Sequence, residues 1–209
     1  MTLVAVRWVP LALAAAGVCV ALVRLARDAD RPRGPLRPAS ISVLDPAAAA
    51  DLEGGLADAW RACRWPKRAD DAERMARVVL AESERQAYDP LFVQALIEIE
   101  STCDPRARSR RGALGLTQLR PRTARAMARE LKMDWPGPAA LYDPAINLRL
   151  GLHYLQKLER RFGDWHLAIA AYNLGPTRVA RMDNGRARRS AYVQRIVGRY
   201  RELVEQRDR

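Results

Sequence analysis

The chain has 209 residues, 49% of them hydrophobic, which suffices for one well-filled core but not for two full-sized domains beside its tail segments. Its 36 Lys and Arg against 24 Asp and Glu give a formal charge of +12 and a surface that attracts polyanions, yet there is no zinc-finger spacing and no aromatic-and-basic ribonucleoprotein motif, so nucleic acid is not expected as a partner. Cys19, Cys63 and Cys103 stand at no metal-ligand spacing from one another or from a His, so no metal is expected.

After Arg7 the chain is uncharged from Trp8 to Val23, with basic residues resuming at Arg24 and Arg27. As a helix this run spans about 24 Å, slightly short of a ~30 Å hydrocarbon core unless Arg24 snorkels and Leu25 and Ala26 extend it. Its length is borderline between an anchor and a signal peptide. Cleavage at Ala14-Ala15-Ala16 would leave only Trp8 to Leu13 as the apolar region, which favours an uncleaved anchor over residues 1–27. The basic residues after the run argue mildly for the opposite orientation. Residues 28–47, with Pro32, Pro35, Pro38 and Pro46 among several Arg, read as an extended linker.

From residue 48 to 209 one helical pattern follows another, punctuated at Asp89-Pro90, Gly112, Pro136-Gly137-Pro138, Asp143-Pro144, Gly163-Asp164, Gly175-Pro176 and Asn184-Gly185. The pattern predicts helices at about 50–64, 70–86, 90–101, 121–132, 145–161, 165–174 and 189–205, with an irregular, glycine-containing connection over 102–120 and no strand. Since Cys19 lies in the apolar run, Cys63 and Cys103 remain either a disulfide of an oxidising compartment or two buried thiols.

In the helix beginning at Pro90, Leu91, Ala95 and Ile99 repeat at four-residue steps, as do Phe92, Leu96 and Glu100. Glu100 therefore continues an apolar stripe at the negative end of the helix dipole, while Glu98 points elsewhere. Desolvation and the dipole both favour a retained proton there, the property of a general acid near neutral pH. A lone Glu at a helix end more often turns into solvent, so its context decides.

That context is Glu100-Ser101-Thr102-Cys103-Asp104-Pro105, then Ser109, then Gly112-Ala113-Leu114-Gly115-Leu116-Thr117-Gln118-Leu119 with Pro121, Thr123 and Ala124. Asp143-Pro144 with Asn147 and Gly151, Ala171-Tyr172-Asn173-Leu174-Gly175-Pro176 and Tyr192-Val193 follow in order. Over roughly residues 85–200 the chain resembles the soluble lytic transglycosylase (SLT) domain family. The resemblance implies a mainly α, lysozyme-like fold, of the α+β lysozyme superfamily with little or no sheet, preceded by the membrane-targeting segment and linker. It also implies a peptidoglycan lytic transglycosylase that cleaves the bond between N-acetylmuramic acid and N-acetylglucosamine without water, leaves a 1,6-anhydro end and uses no cofactor.

On this resemblance Glu100 is the catalytic acid and base, and Ser109, Gln118, Tyr172 and Asn173 bind the glycan. The bland alternatives are loop hydrogen bonds for Ser109 and Gln118 and a packed, satisfied phenol for Tyr172. Tyr192 resembles a family aromatic, more often a packing residue than a sugar contact. Gly112 and Gly115 are expected to permit turns and close substrate approach, and Thr117 stands where the family usually has a Met lining the sugar site. An ordinary glycosidase needs a second carboxylate, and the motifs offer only Asp104 and Asp143, both simpler as turn or cap residues. The expected partners are peptidoglycan strands and, through the N-terminal segment, a membrane, which places the domain outside the cytoplasm on the inner membrane. The alternatives are a muramidase-type hydrolase and a non-catalytic wall-binding scaffold in an envelope machine whose other components are unknown.

Overall fold

The structure is a computed structural model that describes residues 46–63, 65 and 70–209. The apolar run Trp8–Val23 and nearly all of the linker lie outside these residues. The helices are α1 Pro46–Ala62, α2 Asp71–Gln86, α3 Pro90–Ser101, α4 Pro121–Glu130, a 3-10 helix Pro138–Tyr142, α5 Pro144–Phe162, α6 Trp165–Leu174, α7 Pro176–Val179, α8 Asn184–Arg188 and α9 Ala191–Arg207. Among the described residues no helix is long and apolar enough to cross a membrane.

The starts of these helices are written locally. Proline, whose missing N–H costs nothing at a first helical position, opens α1, α3, α4, α5 and α7. Asp89, Asp143, Asp164 and Asp183 cap α3, α5, α6 and α8 by accepting from the backbone N–H of Leu91, Ile146, Leu167 and Arg186 at 2.8–2.9 Å. The 3-10 helix, α7 and α8 have no counterpart in the sequence-based expectation, because four or five residues are too few for a helical period to show.

The helix α3 forms the centre. Where periodicity predicts stripes on an amphipathic helix, every residue from Pro90 to Ile97 is buried, because α1, α2 and α9 enclose it from several sides. The main core joins Leu56, Trp60, Met75, Val79, Phe92, Leu96, Leu148, Leu152, Ile169 and Ile196. A smaller cluster of Leu114, Leu119, Met127, Leu141 and Leu150 lies beneath the 102–120 connection and α4. Tyr154 and Tyr172 pack against both clusters and mark the seam between them. At 25 cal/mol per Å² of apolar surface, each such Leu or Phe contributes roughly 1.5–3 kcal/mol, so tertiary burial rather than helix propensity holds the short helices.

The connection 102–120 contains turns and the isolated antiparallel bridges Arg108–Leu114 and Leu114–Leu119, and no strand forms among the described residues. Its irregular path is fixed by one buried amide. Asn147 Oδ1 accepts from Thr117 N (2.9 Å) and Thr117 Oγ1 (2.7 Å), while Nδ2 donates to the carbonyls of Leu114 (3.0 Å) and Leu141 (2.9 Å). Gly115, at φ +73°, lets this amide approach: a Cβ there would lie 2.2 Å from both Asn147 Nδ2 and the Leu141 oxygen. The close approach expected of substrate at Gly115 is thus made by the protein itself.

Candidate active site

Glu100 is the penultimate residue of α3, half-buried, with the buried Leu96 and Phe92 one and two turns behind it. Burial pushes its carboxyl up from the usual value near 4.5 to about 7, against the opposing pull of the Tyr192 hydroxyl and the Arg195 guanidinium. A group half-protonated near neutral pH can both give and take a proton. Glu98, two residues back, faces away as expected and is bound by Arg199, with Nε to Oε2 at 2.5 Å.

Antiparallel packing of α9 on α3 delivers the groups that hold this carboxylate. Tyr192, at the start of α9, donates its hydroxyl to Glu100 Oε1, and Tyr200, two turns on, donates to Asp89 Oδ2 at 2.7 Å. The two phenols pin opposite ends of α3 and fix its rotation. Tyr192 packs against the main core, as expected, and its hydroxyl in addition reaches Glu100. Its proximity to Glu100 is invisible in a sequence that places the two 92 residues apart. Burial and the neighbouring carboxylate hold the Tyr192 phenol far above its ordinary pKa, so it remains a donor.

Tyr172, in the last turn of α6, reaches the other side. Its ring packs 5.4 Å from that of Tyr154, its hydroxyl donates to the Thr117 carbonyl at 2.9 Å, and Glu100 adds to the burial that keeps the phenol neutral. Thr117 is fully buried between Tyr172 and Asn147 rather than lining an open sugar site. A Cβ on Gly151 would meet its Oγ1 at 2.4 Å, so small size at 151 matches the side chain at 117.

Ser109 and Gln118 are half-buried in the connection opposite. Ser109 Oγ accepts from Ala113 N at 3.0 Å, and Gln118 Nε2 donates to the carbonyls of Gly115 (3.0 Å) and Ala107 (3.3 Å). Both make the loop hydrogen bonds that were the simpler reading. Those bonds hold Gln118 at φ +48°, a left-handed backbone costly for a residue with a Cβ. Asn173 is exposed beside Tyr172. The structure thus places Glu100 with Tyr192 and Tyr172, and Ser109 and Gln118 on the loop tied to them through Thr117.

Asp143 caps α5 and Asp104 accepts from Arg106 N at 2.8 Å, so each of the two alternative carboxylates serves local backbone. Thr102 and Cys103, directly after α3, both take positive φ (53° and 64°), turning the chain away from Glu100. Cys103 stands with its Cα 6.0 Å from that of Cys63 and their sulfurs at bonding distance, linking the exit of the Glu100 helix to the end of α1. Among the described residues no group of three or more His, Cys, Asp or Glu is placed to hold a metal.

Comparison with known proteins adds an independent line. The family described as the transglycosylase SLT domain matches residues 77–194. The soluble lytic murein transglycosylase of Salmonella typhimurium is 38% identical over 90 residues, 42% of this chain and 14% of that protein. The transglycosylase of Enterobacteria phage PRD1 is 35% identical over 95 residues, 46% of this chain and 32% of that protein. The lytic transglycosylase Slt of Pseudomonas aeruginosa, solved as an inactive Glu-to-Gln mutant, superposes with a TM-score of 0.56 and 26% identity over 69% of this chain and 26% of that one. The chain therefore spans well under half the length of these relatives.

Proposed function

Because the chain belongs to the transglycosylase SLT domain family, we propose that it cleaves the β-1,4 bond between N-acetylmuramic acid and N-acetylglucosamine in peptidoglycan without hydrolysis, with Glu100 as sole acid and base. The observation that carries this reading is the Glu100 carboxyl, half-buried, raised to about 7 and held by Tyr192. Protonated Glu100 gives its proton to the glycosidic oxygen as the bond to C1 breaks. The resulting carboxylate removes the proton of the muramoyl C6 hydroxyl, whose oxygen closes on C1. Atoms balance without water, and Glu100 ends protonated again.

A retaining hydrolase would need a second carboxylate about 5 to 5.5 Å from the acid. Asp104 and Asp143 are engaged by their own turn and cap, which supports the single-carboxylate route. The relatives' names support the same chemistry. Ser109, Gln118, Tyr172 and Asn173 are the residues that contact the sugars beside Glu100 in this reading. The domain acts outside the cytoplasm, where peptidoglycan lies, held at the inner membrane by the apolar run Trp8–Val23.

The test is mass spectrometry of soluble products released from peptidoglycan by the full chain and by Glu100→Gln. Muropeptides lighter than the hydrolytic products by one water, absent with Glu100→Gln, are the expected result. Reducing ends would make the protein a muramidase. No release by a folded wild-type chain would make it a binding scaffold.

A further inference from the structure

One wholly buried amide in α3 is only half satisfied. Gln94 Nε2 donates to Glu98 Oε1 at 3.0 Å and lies 4.0 Å from Cys103 Sγ, while its Oε1 is buried with no hydrogen-bond partner among the described residues. Buried acceptors without a donor are rare, because the lost hydration is not replaced. Glu98 is held in turn by Arg199 of α9, with Nε to Oε2 at 2.5 Å and Nη2 to Oε1 at 3.4 Å. Contacts therefore run without a break from the Cys63–Cys103 bridge through Gln94 to Glu98, two residues before Glu100, and on to α9, which also carries Tyr192.

The bridge also fixes the backbone that follows Glu100. Thr102 and Cys103 take successive positive φ values of 53° and 64°, which residues with a Cβ hold only when their surroundings impose it. Cys103 is wholly buried and Cys63 half-buried, so Cys63 Sγ is the sulfur that a dithiol's thiolate can reach. Attack there breaks the Sγ–Sγ bond, and Cys103 leaves as a thiolate and takes a proton. The second thiolate of the dithiol then displaces Cys63, leaving two thiols in the chain and a disulfide in the reductant, two electrons in all. The Ala59 carbonyl stands 3.3 Å from Cys63 Sγ and can accept its new S–H. The Cys103 thiol becomes a donor beside the Gln94 amide, whose oxygen has none, and an amide that turns to accept it withdraws Nε2 from Glu98.

Resting on the transglycosylase reading above, we propose that Cys63, Cys103 and Gln94 position Glu100, and that the oxidation state of the bridge sets the enzyme's turnover. The closed bridge holds the exit of α3 with Glu100 against Tyr192, and the opened bridge releases it. Full activity then belongs to an oxidising compartment. Glu100 is faced by Tyr192 and Arg195 from α9 and by Tyr172 from α6, and its burial outweighs the pull of Tyr192 and Arg195. Water admitted at a loosened exit lets the carboxyl fall from about 7 toward its ordinary range.

The experiment measures the full chain on peptidoglycan with the bridge closed, after opening by a dithiol and after reoxidation, each rate divided by the folded fraction from circular dichroism. Opening should lower kcat about tenfold with KM within about twofold, as a misplaced acid does, and reoxidation should restore it. The alkaline decline of kcat/KM should move to lower pH. Cys63→Ser/Cys103→Ser should match the reduced chain and ignore the dithiol. Gln94→Leu keeps the bridge, and so serves even if the reduced chain unfolds. It should lower kcat severalfold and shrink the response to the dithiol. A reduced chain or a Gln94→Leu chain that melts earlier but keeps kcat and the pH profile would make the bridge a staple alone and overturn the proposal. The titration of the Glu100 carboxyl, followed by carbon NMR in both oxidation states, needs no turnover. Its midpoint should fall on reduction, and an unmoved midpoint refutes the positioning role. If the oxidised chain cleaves no peptidoglycan while the midpoint moves, the transglycosylase reading fails and the positioning of Glu100 by the bridge stands.

Discussion

A carboxyl that titrates near 7 in the native protein and near 4.5 when exposed ties Glu100 to stability as well as to chemistry. The folded form favours the protonated acid, so this contribution to stability is fully present below about 4.5 and is lost as the pH rises through about 7. At 1.36 kcal/mol per unit, the carboxylate costs the fold on the order of 2–3 kcal/mol above pH 7 once its partial exposure is allowed for. Glu100→Gln should therefore be more stable than wild type at pH 8 and nearly equal to it at pH 4, as read from urea midpoints. A difference that does not change between these pH values would refute the assignment. In activity, kcat/KM should decline above about pH 7 as the acid is lost. Tyr192→Phe removes a donor that favours the carboxylate, so it should move that decline to higher pH by several tenths of a unit or more and lower kcat roughly tenfold. A packing role for Tyr192 alone would leave the pH profile in place.

At the scale of elements, the short helices and the 102–120 connection depend on a few polar keystones more than on their own propensity. Asn147 makes four hydrogen bonds while wholly buried, so Asn147→Ala takes the side-chain partner from the Thr117 N–H and hydroxyl and from the Leu141 carbonyl, while the Leu114 carbonyl keeps its bond from Leu119 N. The expected loss is roughly 3 kcal/mol or more, against about 1 kcal/mol for removing the cap in Asp143→Ala. Chemical denaturation should show the larger fall in midpoint at an unchanged slope. If the two variants cost the same, Asn147 does not hold the loop. The same network carries the Thr117 carbonyl that receives Tyr172, so the Asn147 variant should also lose activity beyond its loss of folded protein.

At the scale of the molecule, Cys63 and Cys103 join the outer pair α1 and α2 to the exit of the central helix, across 40 residues of chain. A cross-link of that span removes about 4 kcal/mol of chain entropy from the unfolded state. Cys63→Ser/Cys103→Ser should lower Tm to that of the reduced wild type, and a wild-type Tm indifferent to reductant would mean two free thiols. The sequence alone determined the caps, the long helices, the irregular 102–120 segment and the candidacy of Glu100. Each depends on residues within a turn or two of one another, or on a motif read along the chain. Tertiary structure decided what those residues touch. It placed Tyr192 on Glu100 across 92 positions, carried Tyr172 to Thr117 across 55, buried the residue expected to face the sugar and brought Cys63 to Cys103 at the exit of the central helix. Periodicity tells which face of a helix seeks burial, but not which neighbour will bury it, because that depends on how all the helices share one interior.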